Sequence, residues 1–343
     1  MLLRSRVQAL AIYLRCMPTI PVLLIAALTL PPSPGDTGAV LYAKWCSSCH
    51  GADARGVSKG MTHLAVPAAD LASCPNSSSE TEEQWVGIVR SGGDAYGLSM
   101  DMPAFGEAAS EDQLVSIIRY VRSLCTNKAW PPGELNFPRV FLSEKAFPEN
   151  ELVLVNHDRE QEIIYEKRFG PRVQIEAEAR SVFDGGSVFD GVTAAFKYNV
   201  WHSAKPLAIA TLGTEVTPPV GRQTDWEFEP YVAFGGSPGG ALSIQGQVVA
   251  TIENQFVGTT FKLGGGYQVG RFVPELEAGW TVPRGAPQEL ALYPQLWMQL
   301  SRLGHVAASV GLEVPTAGPG TRVPRLIAYL LWDFGDAPLR VGW

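Results

Sequence analysis

From about residue 151 onward, apolar residues alternate with polar residues or glycine, and this pattern limits the possible folds more than any other feature. Val192 and Ala194 face one way, for example, whereas Thr193 and Ala195 face the other. Side chains repeat every 3.6 residues on a helix but every two residues on a strand. The second half of the chain therefore predicts a series of β-strands.

The predicted strands are long. We expect about 10–12 strands, most of them near ten residues, which is the length that crosses a membrane in a tilted barrel. Ordinary strands average five or six residues. Outside the N-terminus there is no run of about 20 apolar residues that predicts a membrane-spanning helix. Aromatic residues fall near the predicted strand ends, as in the interfacial girdles of barrels: Trp201, Trp226, Tyr231, Trp280, Trp297 and Trp332.

The C-terminal residues support a membrane barrel. Leu339, Val341 and Trp343 alternate and end on an aromatic residue, which resembles the last strand of bacterial outer-membrane barrels. The glycine-rich strands also resemble outer-membrane barrels of the phenol-degradation and transport type. These resemblances imply an antiparallel barrel in contact with outer-membrane lipid. The alternative is a soluble β-sandwich, in which the apolar face of each strand is buried in a core.

Three glutamate pairs lie on the polar faces of the predicted strands. Each pair is spaced i, i+2, so both of its carboxylates lie on one face. In an open lumen these carboxylates would favour cations and disfavour anions. The alternative is that basic residues neutralise them inside a plugged barrel. The pairs are Glu176 and Glu178, Glu227 and Glu229, and Glu275 and Glu277, and the candidate partners are Arg180, Lys197, Lys262 and Arg271.

The N-terminal half contains a heme-attachment motif. Cys46 and Cys49 are separated by two residues, and His50 follows directly. This spacing lets two thiols add to the heme vinyl groups while the histidine reaches the iron. A zinc site would need a second pair of ligands, and a redox dithiol would lie in a βαβ pattern, neither of which the sequence contains. We therefore predict one covalent heme c, with His50 as a ligand of its iron.

The stretch from 36 to 127 resembles a class I cytochrome c. A short apolar segment leads into the motif, a turn between Gly51 and Gly56 follows it, and Met102 precedes a proline about 50 residues later. Ser110 and Gln113 then have capping-box spacing at the start of an amphipathic helix. One face of this helix is apolar: Leu114, Ile117, Ile118, Val121 and Cys125.

This resemblance implies an all-α heme domain with His50 and Met102 as the two iron ligands. Met100 competes with Met102, but the proline after Met102 fixes the turn that presents its sulfur. His63 is a third candidate. The resemblance also implies a contact between the first and last helices at Gly38 and Tyr120, and a supporting loop near Pro67.

Two further cysteines remain in the heme segment. Cys74 and Cys125 form an even pair in an exported chain, so we predict a disulfide between them; the alternative is two separate buried thiols. Cys16 lies in the N-terminal segment and has no assigned role.

The sequence thus predicts an α + β chain of two domains. Residues 1–33 form a signal peptide, because three arginines precede an apolar core and then prolines; the alternative is a membrane anchor. Residues 36–127 form the monoheme cytochrome c domain, residues 128–150 a linker rich in Pro and Gly, and residues 151–343 the barrel. The heme domain is expected to dock at the barrel rim, because the lumen of so few strands is too narrow to contain it.

The organisation resembles porin–cytochrome fusion proteins. That resemblance implies an electron carrier in an outer-membrane conduit, with a periplasmic redox partner and an extracellular metal ion such as iron(II) as donor or acceptor. We expect no enzyme activity, since no nucleophile motif or dinucleotide loop is present, although iron(II) oxidation is left open. The net charge of −7 argues against nucleic acid as a partner. The alternative function is a soluble periplasmic cytochrome whose β-sandwich binds a redox partner.

Overall fold

The computed structural model describes residues 37–58, 63–183, 186–319 and 323–335. The predicted signal peptide and the C-terminal residues Leu339, Val341 and Trp343 lie outside these ranges. Among the described helices, none combines the length and the apolar character needed to cross a membrane.

Before the barrel, the described residues contain five α-helices and two 3-10 turns. Two of the helices begin with capping boxes: Thr81 pairs with Gln84, and Ser110 pairs with Gln113 as the sequence predicts. The helices are α1 (Gly38–Trp45), α2 (Ser47–His50), α3 (Cys74–Ser79), α4 (Glu82–Ser91) and α5 (Glu111–Ser123), and the 3-10 turns are Asp94–Tyr96 and Gly133–Leu135.

Helices α1 and α5 cross closely at Gly38. A Cβ atom on Gly38 would lie 2.0 Å from the carbonyl oxygen of Ser116, so only glycine fits this crossing. One turn along, the rings of Tyr42 and Tyr120 have their centroids 5.4 Å apart. The contact that the cytochrome resemblance implies is therefore present, with the backbone of Ser116 as the direct neighbour of Gly38.

In the residues that the structure describes, twelve antiparallel strands follow and close into a barrel, in which each strand pairs with its neighbours in sequence and β1 pairs with β12. The barrel prediction is confirmed, and the β-sandwich alternative is wrong because every described strand has a partner on both edges. The strands are β1 (Glu151–His157), β2 (Glu160–Phe169), β3 (Val173–Phe183), β4 (Ser187–Ala204), β5 (Leu207–Thr217), β6 (Glu227–Gly239), β7 (Leu242–Ile252), β8 (Phe256–Tyr267), β9 (Phe272–Pro283), β10 (Glu289–Gln299), β11 (Val306–Ala317) and β12 (Arg325–Asp333).

The barrel wall is apolar outside and polar inside. On β3, Ile175 is 49% exposed, whereas its neighbours Gln174 and Glu176 are buried. On β9, Leu276 is 53% exposed between the buried Glu275 and Glu277. This alternation is the sequence pattern expressed in three dimensions, with the polar residues directed into the lumen.

The lumen is not empty, because residues 136–150 occupy it. We call this segment the plug. The Leu142 and Ser143 amides donate to Glu277 on β9, at 2.7 and 2.8 Å. The Glu149 amide donates to Gln174 on β3, at 2.7 Å. Strands β3 and β9 lie opposite each other in the closed ring, so one short segment can bond to both only from inside.

Polar side chains of the wall satisfy the plug backbone on several other strands. Lys197 on β4 donates to the Lys145 carbonyl at 2.9 Å, and Lys262 on β8 donates to the Leu142 carbonyl at 2.8 Å. Thr211 on β5 donates to the Ala146 carbonyl at 2.6 Å. The segment that the sequence predicts as the end of a linker is thus built into the barrel interior, where a buried chain without regular structure needs such partners.

Candidate heme site

Helices α1 and α2 bring the heme-attachment residues onto consecutive turns. The Cys46 amide donates to the Tyr42 carbonyl at 2.8 Å, and the His50 amide donates to the Cys46 carbonyl at 2.9 Å. Cys46 and Cys49 are free thiols, both partly buried. Burial raises the pKa of Cys46 to about 11, with a smaller contribution from Cys49, so this thiol is neutral near pH 7.

The His50 ring is mostly buried, and its Nδ1 atom has no hydrogen-bond partner of normal geometry. Burial lowers the pKa of His50, and the backbone of Ala69 opposes this shift. The imidazole is therefore neutral near pH 7, which is the form that binds iron. Ala69 lies in the loop that contains Pro67, two residues beyond the position suggested from the sequence.

The candidate methionines have different environments. Met100 is 80% exposed, whereas Met102 is partly buried and packs against the apolar cluster of Val86, Val89, Leu114 and Ile118. His63 is exposed. The assignment of Met102 as the second iron ligand stays a prediction, and among the three candidates only Met102 has a side chain packed into the domain core.

The loop that carries Met102 is held by the end of helix α4. The Gly93 amide donates to the Met102 carbonyl at 3.0 Å, and the Phe105 amide donates to the Val89 carbonyl at 3.0 Å. Gly92 has φ = +80°, and a Cβ atom there would lie 2.9 Å from the Ala104 amide nitrogen. The two glycines, which the sequence analysis did not single out, therefore let the Met102 loop approach the helix.

Aromatic side chains connect the two ligand segments. The rings of Trp45, next to Cys46, and Phe105, three residues after Met102, stack with centroids 5.8 Å apart. Trp85 packs against both apolar clusters of the domain, and its buried Nε1 has no hydrogen-bond partner. An aromatic residue beside a cysteine motif and a second one after a Met-Pro pair would be the signals to look for in the sequence.

These residues fit a covalently bound heme. Two free thiols and a neutral imidazole lie on one turn, and Met102 lies on an adjoining part of the same core. The buried Nε1 atom of Trp85 lacks a hydrogen-bond partner among the described residues, as expected where a polar group of a cofactor would meet it. The chemistry of this set matches a heme c whose iron has two protein ligands.

A disulfide connects Cys74 to Cys125 and so joins helix α3 to the chain after α5. The predicted pairing is confirmed. It closes a loop with a sequence separation of 51 residues around the side of the domain that contains α4 and the Met102 loop.

The heme domain contacts one rim of the barrel, where β1 begins and β12 ends. We call this the near rim and the opposite end the far rim. Arg302, in the β10–β11 turn, donates to the Ala95 carbonyl at 2.7 Å, and Gln84 donates to the Leu303 carbonyl at 3.2 Å. His202 at the end of β4 lies 3.2 Å from the Lys128 carbonyl. The predicted docking at the rim is confirmed.

Comparison with known proteins matches the two regions to different groups. Residues 33–121 match the family model of cytochrome C oxidase, cbb3-type, subunit III, so the N-terminal region is a cytochrome c domain. No curated protein matches the chain. The molecule is thus a cytochrome c domain joined to a closed barrel of twelve antiparallel strands.

Several solved barrels are similar to the chain. The KdgM porin shares 11% identity over 54% of this chain and 98% of its own, with a TM-score of 0.44. An outer membrane channel from Pseudomonas putida F1 shares 10% identity over 54% of this chain and 96% of its own, with a TM-score of 0.44. Outer membrane phospholipase A from Escherichia coli shares 8% identity over 56% of this chain and 99% of its own, with a TM-score of 0.37.

Proposed function

We propose that this protein transfers electrons through one heme c held at the periplasmic rim of an outer-membrane barrel, as part of an outer-membrane electron conduit. The observation that carries the proposal is the contact between a heme-attachment domain and the rim of a barrel whose outer face is apolar. A periplasmic redox protein would exchange electrons with the heme domain, and an extracellular metal ion is the candidate partner on the other side.

The heme site supports a carrier role. Cys46 and Cys49 would attach the porphyrin, while His50 and Met102 would hold the iron. Bound heme c supplies a one-electron change of its iron, and a His/Met ligand pair favours a high reduction potential. If His50 and Met102 both hold the iron, these side chains would take the places that a substrate would need. We therefore propose electron transfer and no bond-making reaction at this site.

The outer face of the barrel supports a membrane location. Apolar side chains are exposed all around the wall, and four exposed tryptophans lie near its ends. Trp201 and Trp332 lie toward the near rim, 52% and 38% exposed, and Trp226 and Trp280 toward the far rim, 53% and 43% exposed. Apolar bands with aromatic residues at both edges are typical of outer-membrane barrels. A water-exposed surface of this size would be aggregation-prone.

The loops support the proposed orientation. Outer-membrane barrels have short turns on the periplasmic side and longer loops outside. The longest connection between described strands, residues 218–226, lies at the far rim, whereas the connections at residues 205–206 and 240–241 lie at the near rim. We therefore assign the near rim, with the heme domain, to the periplasm.

The plug limits what could pass through the barrel. Residues 136–150 occupy the half of the lumen beside the heme domain, so the proposed role is passage of electrons rather than of solutes. The glutamates of the sequence analysis fall into two groups. Glu277 is bonded by the amides of the plug, rather than by one of the basic residues that the plugged-barrel alternative named. Glu178 and Glu229 are only partly buried toward the far rim and remain candidates for meeting a metal ion.

Cell fractionation with heme staining tests the proposal. We expect a heme-stained band that needs detergent for extraction and migrates differently before and after heating. The Cys46→Ala variant should lose the covalent stain but keep the heat-dependent migration, because the barrel does not contain the motif. Recovery of the wild-type protein in the soluble fraction without detergent would contradict the membrane part of the proposal.

The ligand assignment and the orientation have separate tests. Met102→Ala should abolish the methionine–iron absorption band, and Met100→Ala, the matched control, should keep it. The reverse result would exchange the two methionines. Protease added to intact cells should leave the heme domain uncut, and cleavage within residues 63–127 would reverse the orientation.

A further inference from the structure

We propose that the barrel lumen binds one divalent metal ion at the carboxylates of Glu144, Glu166 and Glu176. Glu144 belongs to the plug, Glu166 to β2 and Glu176 to β3, and the oxygen atoms that they offer lie within 4.8 Å of one another. A site built from carboxylate oxygens alone suits hard cations such as Ca²⁺, Mg²⁺ or Mn²⁺. This site is separate from the heme and does not depend on the electron-transfer proposal.

The pairing of strands β2 and β3 places two of these glutamates opposite each other. Glu166 and Glu176 are directly opposite each other in the β2–β3 ladder, and both side chains point into the lumen. Like charges in directly opposed positions destabilise a sheet unless something intervenes. A cation between them would turn this repulsion into attraction.

One carboxylate oxygen of Glu176 lacks the partner that a buried polar atom needs. Glu176 is 3% exposed, and its Oε1 atom is buried without a hydrogen-bond partner. Oε2 of Glu144 is also buried without a hydrogen bond, and the nearest cation to it, Lys197 Nζ, lies 3.7 Å away. An unpaired buried charge is costly, so it is normally paired or coordinates a metal ion. Two oxygens of the cluster are therefore available as ligands.

A second cluster of carboxylates in the same lumen differs from the proposed site because a lysine lies within it. Glu149, Glu151 and Glu166 are also close together, but Lys145 Nζ lies 2.6 Å from Glu149 and 3.1 Å from Glu151. That group already contains its cation.

In the proposed site the nearest lysine stands further away. Lys197 Nζ lies 3.7 Å from Glu144 and 3.9 Å from Glu166, and its hydrogen bond goes to the Lys145 carbonyl. Arg139 bonds Glu166 and lies 3.5 Å from Oε1 of Glu144. In the described part of the chain, neither cation forms an ion pair with Glu176.

The charge balance of this network points the same way. These ion pairs and carboxylate clusters contain five acids and three bases. With every one of these groups ionised, the acids exceed the bases by two charges, which one divalent ion would balance. The acids are Glu144, Glu149, Glu151, Glu166 and Glu176, and the bases are Arg139, Lys145 and Lys197.

A cation can approach from the far rim. Glu178 lies two residues beyond Glu176 on the same face of β3, and Glu215 faces the lumen on β5; both are only partly buried. Negative charges lining a cleft raise the local concentration of cations. The approach to Glu176 is thus acidic.

Titration of the full-length, heme-loaded protein in detergent with Mn²⁺ tests the site, with loss of the free Mn²⁺ signal in electron paramagnetic resonance as the readout. We expect one bound Mn²⁺ per chain, displaced by excess Ca²⁺ or Mg²⁺. Glu176→Gln should weaken binding about tenfold or more, since carboxylate charge sets the affinity of such sites. Glu275→Gln is the matched control, because Glu275 is also buried with unpartnered oxygens but lies outside the group; it should bind like the wild type.

Heat-dependent migration and the heme spectrum show whether each variant has folded. If Glu176→Gln does not fold, Glu144→Gln in the plug replaces it and should weaken binding similarly. Absence of stoichiometric Mn²⁺ binding by the wild type overturns the proposal. Equal weakening by Glu176→Gln and Glu275→Gln also overturns it, because the lumen would then attract cations only through its general charge.

Discussion

The heme domain and the barrel arrange their apolar and charged side chains in opposite ways. In the heme domain Leu41, Ile117 and Ile118 are almost fully buried, and the ion pair of Arg55 with Asp70 lies at the surface. In the barrel the charged Glu166 and Lys197 are buried, and apolar residues cover the outside. The first arrangement is typical of a protein in water, and the second is the one expected for the proposed location in a membrane. The same type of substitution should therefore have different consequences in the two regions.

The largest difference is expected for charged residues. Arg139→Met in the plug removes the partner of Glu166 and leaves this carboxylate short of a buried cation. Breaking a buried pair on one side costs about 3–5 kcal/mol. Unfolding in urea, followed by the β signal in circular dichroism, should show this loss. Arg55→Ala is the control, because an exposed pair contributes at most about 1 kcal/mol. Similar losses for both variants would mean that the lumen screens charge as water does.

Truncation of apolar side chains should give the next largest difference in stability. Here the heme domain, not the barrel, should lose more. Ile117→Ala in helix α5, where Ile117 is 2% exposed, should destabilise the heme domain by about 2–5 kcal/mol through lost burial and a cavity. Leu276→Ala on the outer face of β9 leaves no cavity, so only the transfer difference of about 1–2 kcal/mol is lost. Unfolding midpoints measured in the same detergent compare the two. A larger loss for Leu276→Ala would contradict the assignment of that face to lipid.

A smaller effect on stability is expected where two helices of the heme domain touch through their backbones. Gly38→Ala puts a methyl group against the Ser116 carbonyl and should separate helices α1 and α5, with a loss of about 1–3 kcal/mol. Thermal unfolding of the heme domain measures it. Gly97→Ala, where φ is +72° and the space is open, should cost about 1 kcal/mol and leave the helix contact intact. Unchanged thermal stability of Gly38→Ala would show that the helices cross elsewhere.

The contact between the two regions should make stability depend on pH. Burial raises the pKa of Glu80 to about 7, partly opposed by Arg168, and His305 of the barrel rim lies 4.0 Å from it. The folded protein therefore holds a proton on Glu80 that the unfolded chain releases at lower pH. Stability should be greatest below pH 4.5 and fall as the pH rises through 7, as far as this group contributes. Urea midpoints at pH 5 and pH 8 should differ less for Glu80→Gln than for the wild type, and an unchanged difference would contradict the role of Glu80.

The two regions also differ in what their sequence reveals. The strands were predictable because a period of two is a local property of each strand, and the heme motif because its three residues are adjacent. The plug was not predictable. Its charged residues, such as Arg139 and Lys145, have the composition of an exposed linker, and their partners lie far away in sequence. Glu277, for example, is 135 residues from Leu142, and only the closed ring brings them together.

Part of the heme site was hidden for a similar reason. Met102 was recognisable from the proline that follows it, but the need for Gly92 and Gly93 depends on how closely the Met102 loop approaches helix α4. How closely two backbone segments approach depends on both of them together. The sequence of neither segment alone shows a pattern that predicts it. Cys74 and Cys125 could be paired only because they were the last two thiols of the segment.

The path of the plug has a consequence for assembly. The segment leaves the heme domain at the near rim, enters the lumen, and returns to the same rim, where β1 begins. The chain therefore makes a loop and is not threaded through the ring, in keeping with the rarity of knotted folds. The bulky, cofactor-loaded domain never has to pass through the barrel. Folding of the heme domain and closure of the strands can therefore take place in either order.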